Sequence, residues 1–111
     1  MVSSFRSLAS SAAETELLLD RLQKREATSA YARTYAGSLA DAIRENKQEL
    51  QNHPPAHGLE SAFFECAREY ELLLESVDGL KTALNDRNAL AAAKTRIEAI
   101  RKTAERSRAA L

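Results

Sequence analysis

In the first half of the chain, apolar residues return every three or four positions, the period of one helical face. Ser11, Leu18, Arg25, Ala32, Leu39 and Asn46 share one heptad position, and Thr15, Leu22, Ser29, Ala36, Ile43 and Leu50 share the other. Arg25, Ser29 and Asn46 are poor core residues, so this stripe is weaker than that of an isolated coiled coil. The pattern predicts a helix over about residues 4–52. Ser11 with Glu14 reads as a capping box, which leaves the residues before it frayed or in a separate short turn.

The second half begins near Gly58 with the stripe Leu59, Phe63, Cys66, Tyr70, Leu73, Val77, Leu80 and Leu84. The phase then slips by one residue, and Ala83, Leu90, Ile97, Ala104 and Leu111 take over. The slip falls at Asn85-Asp86-Arg87-Asn88, a polar patch of indifferent helix formers. The pattern predicts a helix over about residues 59–110 with a kink at 85–88; the alternative is a true break and three helices in all.

Both prolines of the chain, Pro54 and Pro55, stand between these halves. Proline cannot continue a helix, so residues 53–58 form the turn of a long antiparallel helical hairpin, a single all-α domain over residues 1–111. A turn centred near residue 55 sets Leu17-Leu18-Leu19 level with Ala91-Ala92-Ala93, and Leu72-Leu73-Leu74 level with Ala36-Gly37-Ser38. Large opposite small is what close-packed helices require. Each triple-Leu run also spreads apolar side chains over about 200° of helix, at 100° per residue. Tyr31 and Tyr35 widen the apolar face further. One neighbouring helix cannot cover such an arc, so a third and fourth helix are expected. A homodimer forming a four-helix bundle is the simplest source, with Leu17, Leu18, Leu19, Tyr31, Tyr35, Leu72, Leu73 and Leu74 as its contact faces.

Charge refines this picture. Sixteen basic residues balance sixteen acidic ones, so no net charge draws the chain to nucleic acid or anionic lipid. The distribution is uneven: six acids and one base lie between Glu60 and Asp78, and seven bases and two acids between Arg87 and Arg108. Acids early and bases late along a helix complement its macrodipole. The same asymmetry would let two copies lie with acidic halves against basic halves. The basic run Lys94, Arg96, Arg101, Lys102, Arg106 and Arg108 is the one candidate contact for anionic lipid; nucleic acid is disfavoured because no aromatic platform accompanies it.

Candidate chemistry is sparse. Cys66 is the only cysteine, which suits a reducing, cytoplasmic compartment, and it sits on the apolar stripe with no histidine at helical spacing to activate it. His53, His57 and Cys66 are one ligand short of a structural zinc site. Glu65, Glu69 and Asp78 have the spacing of a solvated helix face. The three glycines are scattered and form no phosphate loop. No run approaches the roughly 18 apolar residues of a membrane span. The Ser-rich start with Arg6 and no acid before Glu14 has a faint transit-peptide character. No catalytic residue, cofactor or metal is expected.

The stretch Glu69-Tyr70-Glu71-Leu72-Leu73-Leu74-Glu75-Ser76-Val77, followed by Leu84-Asn85-Asp86-Arg87, resembles part of the helical BAR region of sorting nexins. Leu22, Arg25, Tyr35 and Leu39 resemble that family's first helix in texture. The resemblance implies a curved dimeric rod at a membrane, with Lys94, Arg96, Arg101 and Lys102 on anionic lipid. The chain departs from the family in being much shorter and in having two long segments rather than three. In length and central turn it also resembles the helical-hairpin proteins of bacterial type VII secretion, without their Trp-Xaa-Gly turn, and small helical chaperones. The expected function is therefore a non-enzymatic helical scaffold or adaptor that self-associates or binds another helical protein. A BAR-like peripheral membrane module is the alternative, and a secretion protein or chaperone folding with a partner is the third reading.

Overall fold

Runs of Ala, Leu, Glu, Lys and Arg cost a helix little, and the computed structural model, which describes residues 1–111, places four helices along them. These are α1 (Val2–Gln23), α2 (Ser29–Asn52), α3 (Glu60–Leu80) and α4 (Arg87–Ala110), with no strand. The two long helices expected over residues 4–52 and 59–110 are thus each broken, and both breaks have a local cause.

The first break is a Schellman-type stop at the end of α1. Arg25 occupies the left-handed region at φ 58°, Glu26 N–H donates to the Arg21 carbonyl at 2.8 Å, and Arg25 N–H donates to the Leu22 carbonyl at 3.1 Å. Thr28 then starts α2, its hydroxyl accepting from Tyr31 N–H at 3.1 Å. Arg25 and Ser29, two of the three misfits of the heptad stripe, belong to this corner, whereas Asn46 lies within α2. The second break, at Lys81–Asp86, falls where the phase slips. Short i to i−3 bonds from Lys81, Thr82 and Ala83 wind α3 down, and the Asp86 carboxylate caps α4 by accepting from Ala89 N–H at 3.1 Å. The central reversal behaves as the prolines require: His53 is extended ahead of Pro54, and Gly58 takes φ 90°.

The two breaks face each other, with Ser29 Oγ 3.5 Å from Asn85 Oδ1, and the hairpin folds double there. Each helix packs on its sequence neighbours, α4 returns to α1, and α1 also meets α3 across the middle while α2 and α4 stay apart. The result is an up-down-up-down bundle measuring 46 × 23 × 16 Å. The extra helices that the triple-Leu runs demand come from the same chain.

Heptad positions reach the core largely as read: Leu18, Ala32, Leu39, Thr15, Ala36, Ile43, Leu50, Cys66, Tyr70, Leu73, Val77, Leu80, Leu90 and Ile97 are buried. The exceptions are Arg25 and the terminal Leu111, which are exposed, and Leu22, Ser29, Asn46, Leu59, Phe63 and Ala83, which are only half-buried. The segment before Ser11 is not frayed: Phe5 and Leu8 lie fully inside, and the Ser4 carbonyl accepts from the Tyr70 hydroxyl at 2.9 Å. Ser11 caps nothing; its carbonyl accepts from Thr15 Oγ1 within α1.

The hairpin register also differs from expectation. Glu16 meets Arg101 and Lys47 meets Glu71, which displaces both antiparallel pairs by roughly two helical turns from a turn centred on residue 55. Leu17–Leu19 therefore do not face Ala91–Ala93, nor Leu72–Leu74 face Ala36–Ser38. The pairs Glu16–Arg101 and Lys47–Glu71 put the centre of the reversal near residue 59 rather than 55.

Candidate interaction surfaces

Three residues proposed as contact faces are spent inside the bundle. Leu18, Leu19 and Leu73 are 2%, 0% and 0% exposed, so no partner reaches them in the folded chain. Leu74 is half-buried against the core. A helix turns 100° per residue, so its neighbours in each run point outward. Leu17 is 52% exposed and Leu72 38%.

These two leucines mark different faces. Leu17 lies in the shallow cleft between α1 and α2 together with Arg21, Tyr31 and Tyr35. The two tyrosine rings stack with centroids 5.9 Å apart, and Tyr31 is about half exposed. Leu72 lies in an open groove of about 440 Å³ between α3 and α4, whose walls include Glu69, Glu75, Arg96, Ala99 and Thr103. A third apolar spot was not singled out by the heptad. Phe64 is 68% exposed and meets Phe63 edge-on at the start of α3. No clear signal for it lay in the sequence, because Phe64 follows a stripe position just as Leu19 and Ala40 do, and those two are buried.

The basic run is divided by the register. Arg101 is held between Glu16, 2.6 Å from its Nε, and Glu105 at 3.2 Å, and these carboxylates raise its already high pKa. Lys94 reaches Asp20 at 3.7 Å and Lys102 reaches Glu98 at 2.9 Å. Asp20 is held below the usual carboxylate range, chiefly by its bond to Lys24 and then by Lys94, and Glu98 likewise by Lys102. Arg96, Arg106 and Arg108 are exposed and make no ion pair. From α3, Asp78 and Glu71 are drawn inward to Arg44 and Lys47 of α2.

The candidate ligands of a metal stay apart, and no three His, Cys, Asp or Glu side chains converge. Cys66 is fully buried, and burial pushes its thiol up to about 12. His53 Nδ1 lies 2.8 Å from the Glu49 carbonyl, and His57 lies 3.8 Å from Glu60. Glu69 is the one acid sunk to 9% exposure, and burial raises its pKa against a smaller opposing pull from Arg68. No helix is long and apolar enough to cross a membrane.

Compared with protein-family models, curated proteins and solved structures, the chain matches none.

Proposed function

We propose that this protein is a helical scaffold or adaptor that works by protein–protein contact, self-association into a homodimer first, and that it carries out no chemistry of its own. One observation carries the reading: Leu72 remains 38% in water, in a groove, after the chain's own helices have closed the core. Isolated exposed leucines are ordinary on protein surfaces, but one set in a concave cleft between helices fits a partner's side chain. The exposed Leu17, Tyr31 and Phe64 supply further contact area of the same kind.

The membrane-binding alternative keeps less support than the sequence lent it. Lys94, Arg101 and Lys102 already serve carboxylates of the same chain, which leaves Arg96, Arg106 and Arg108 for anionic lipid. A curved BAR-like rod also requires helices longer than the 21 to 24 residues of α2, α3 and α4. The third reading, a chain that folds only with a partner, drew on the weak seam at Arg25, Ser29 and Asn46, and it has less support because Arg25 and Ser29 belong to the corner between α1 and α2.

Light scattering over a hundredfold dilution tests the proposal. A mass of two chains at the upper concentrations supports self-association. A single-chain mass throughout, together with salt-sensitive co-sedimentation on anionic vesicles, would replace it with the membrane reading.

A further inference from the structure

The groove between α3 and α4 has two unlike edges. Along α3 it presents Glu69, Leu72 and Glu75; along α4 it presents Arg96, Ala99 and Thr103. Read at matching heights, an acid, a leucine and an acid stand beside a hydroxyl, a small apolar residue and a base. The height match is fixed by the bond from Ser107 Oγ to the Glu65 carboxylate, which sets the antiparallel register of α3 on α4. Glu75 then lies level with Arg96, Leu72 with Ala99 and Ile100, and Glu69 with Thr103.

None of these charges is satisfied within the chain. Glu69 is more than nine-tenths buried, yet no protein donor reaches its carboxylate, and neither Glu75 nor Arg96 has an ion-pair partner. No buried polar atom is left orphaned, so the Glu69 oxygens open to solvent through the groove. The Thr103 hydroxyl accepts from Arg106 Nη2 at 3.4 Å, which leaves its own proton free to donate.

We infer that this groove is the self-association face, and that its occupant is the same groove of a second copy related by a two-fold axis parallel to the helices. The inference rests on the self-association proposed above. Such an axis keeps every residue at its own height while laying α3 of one copy against α4 of the other. Each Glu75 then faces the partner's Arg96, each Leu72 drops over the partner's Ala99, and each Glu69 receives the partner's Thr103 hydroxyl. Because the interface is isologous, every contact occurs twice and the assembly closes at two copies. The area is adequate: two helices of 21 and 24 residues side by side offer a face of about 700 Å² per copy, close to the roughly 800 Å² per partner of a standard interface. The direct alternative, α3 against α3, would set acid upon acid.

Charge exchange between two full-length variants tests this. Glu75→Arg and Arg96→Glu each place like charges opposite one another, so each variant alone is expected to dimerise at least tenfold more weakly than the native chain. Helicity measured by circular dichroism confirms that both remain folded. Mixed in equal amounts, the two variants restore unlike charges on both sides of the two-fold and form a heterodimer with near-native affinity. Loss in the separate variants with recovery in the mixture supports the face. A native dimer that neither substitution weakens overturns the face while self-association stands. Native protein that is monomeric at all concentrations overturns both, and loss without recovery on mixing also refutes the pairing.

Discussion

Arg25→Gly has opposite signs in a broken and a continuous helix. In the structure Arg25 holds φ 58°, a conformation that costs a side chain with a Cβ about 1–2 kcal/mol and glycine almost nothing. Glycine also brings back unfolded-chain freedom worth about 0.5–1 kcal/mol. The net expectation is a gain of about 0.5 kcal/mol, within a range of about 0 to 1.5. Were residues 4–52 one unbroken helix, the same change would place glycine in its interior and lose about 1 kcal/mol. The two cases therefore differ by about 1.5 kcal/mol, or roughly 5–10 °C in Tm for a domain near this size. Urea unfolding followed by circular dichroism at 222 nm, with Arg25→Ala as a second variant, resolves that gap. Alanine keeps the Cβ and stays close to native stability at the corner. A loss of about 1 kcal/mol for Arg25→Gly would refute the Schellman stop.

Three further outcomes follow from burial. Leu19→Ala empties a fully buried site and should lose about 2–5 kcal/mol in the same assay, whereas Leu17→Ala, half exposed, should change stability by less than about 0.5; equal losses would mean the run does not turn one leucine in and the next out. Cys66 should resist a thiol reagent at pH 8 in the native protein and react fully in urea, because its thiol is pushed up to about 12; rapid native labelling would show that α3 does not bury it. Glu69 has a raised pKa when folded, so the native state binds its proton more tightly than the unfolded chain does. Its favourable contribution is whole below the ordinary carboxyl value and is lost as pH rises through the folded value. Glu69→Gln should therefore flatten that fall and leave the monomer at least as stable at pH 7, and an unchanged pH profile would contradict its burial.

Much of the core was legible because period alone places side chains on a face. Leu39, Ile43, Leu73 and Ile97 needed nothing more than counting. The break before Arg87 was legible as a kink at 85–88, with a true break as the alternative, since a phase slip and a polar run of indifferent helix formers coincide there. Arg25 was not. The left-handed stop of a helix is normally written with glycine, and here an arginine holds it, so the residue that usually marks such a corner is missing from the sequence. The register error had a further consequence. Which base of α4 meets which acid of α1 depends on it, so the division of the basic run into held residues (Lys94, Arg101, Lys102) and free ones (Arg96, Arg106, Arg108) could not be read from charge alone. The triple-Leu runs called for more than two helices, and in the structure the third and fourth belong to the same chain.

The claim that the hairpin folds double rests on the contact between Ser4 and Tyr70. Spin labels on Ser3→Cys and Arg68→Cys, with Cys66 replaced by alanine and the labelled chain diluted into unlabelled protein, measure this distance within one molecule. The bundle predicts a separation within about 25 Å, the span of neighbouring helices and their labels. Continuous helices would hold these positions more than about 50 Å apart, and a distribution centred there would contradict the fold described here.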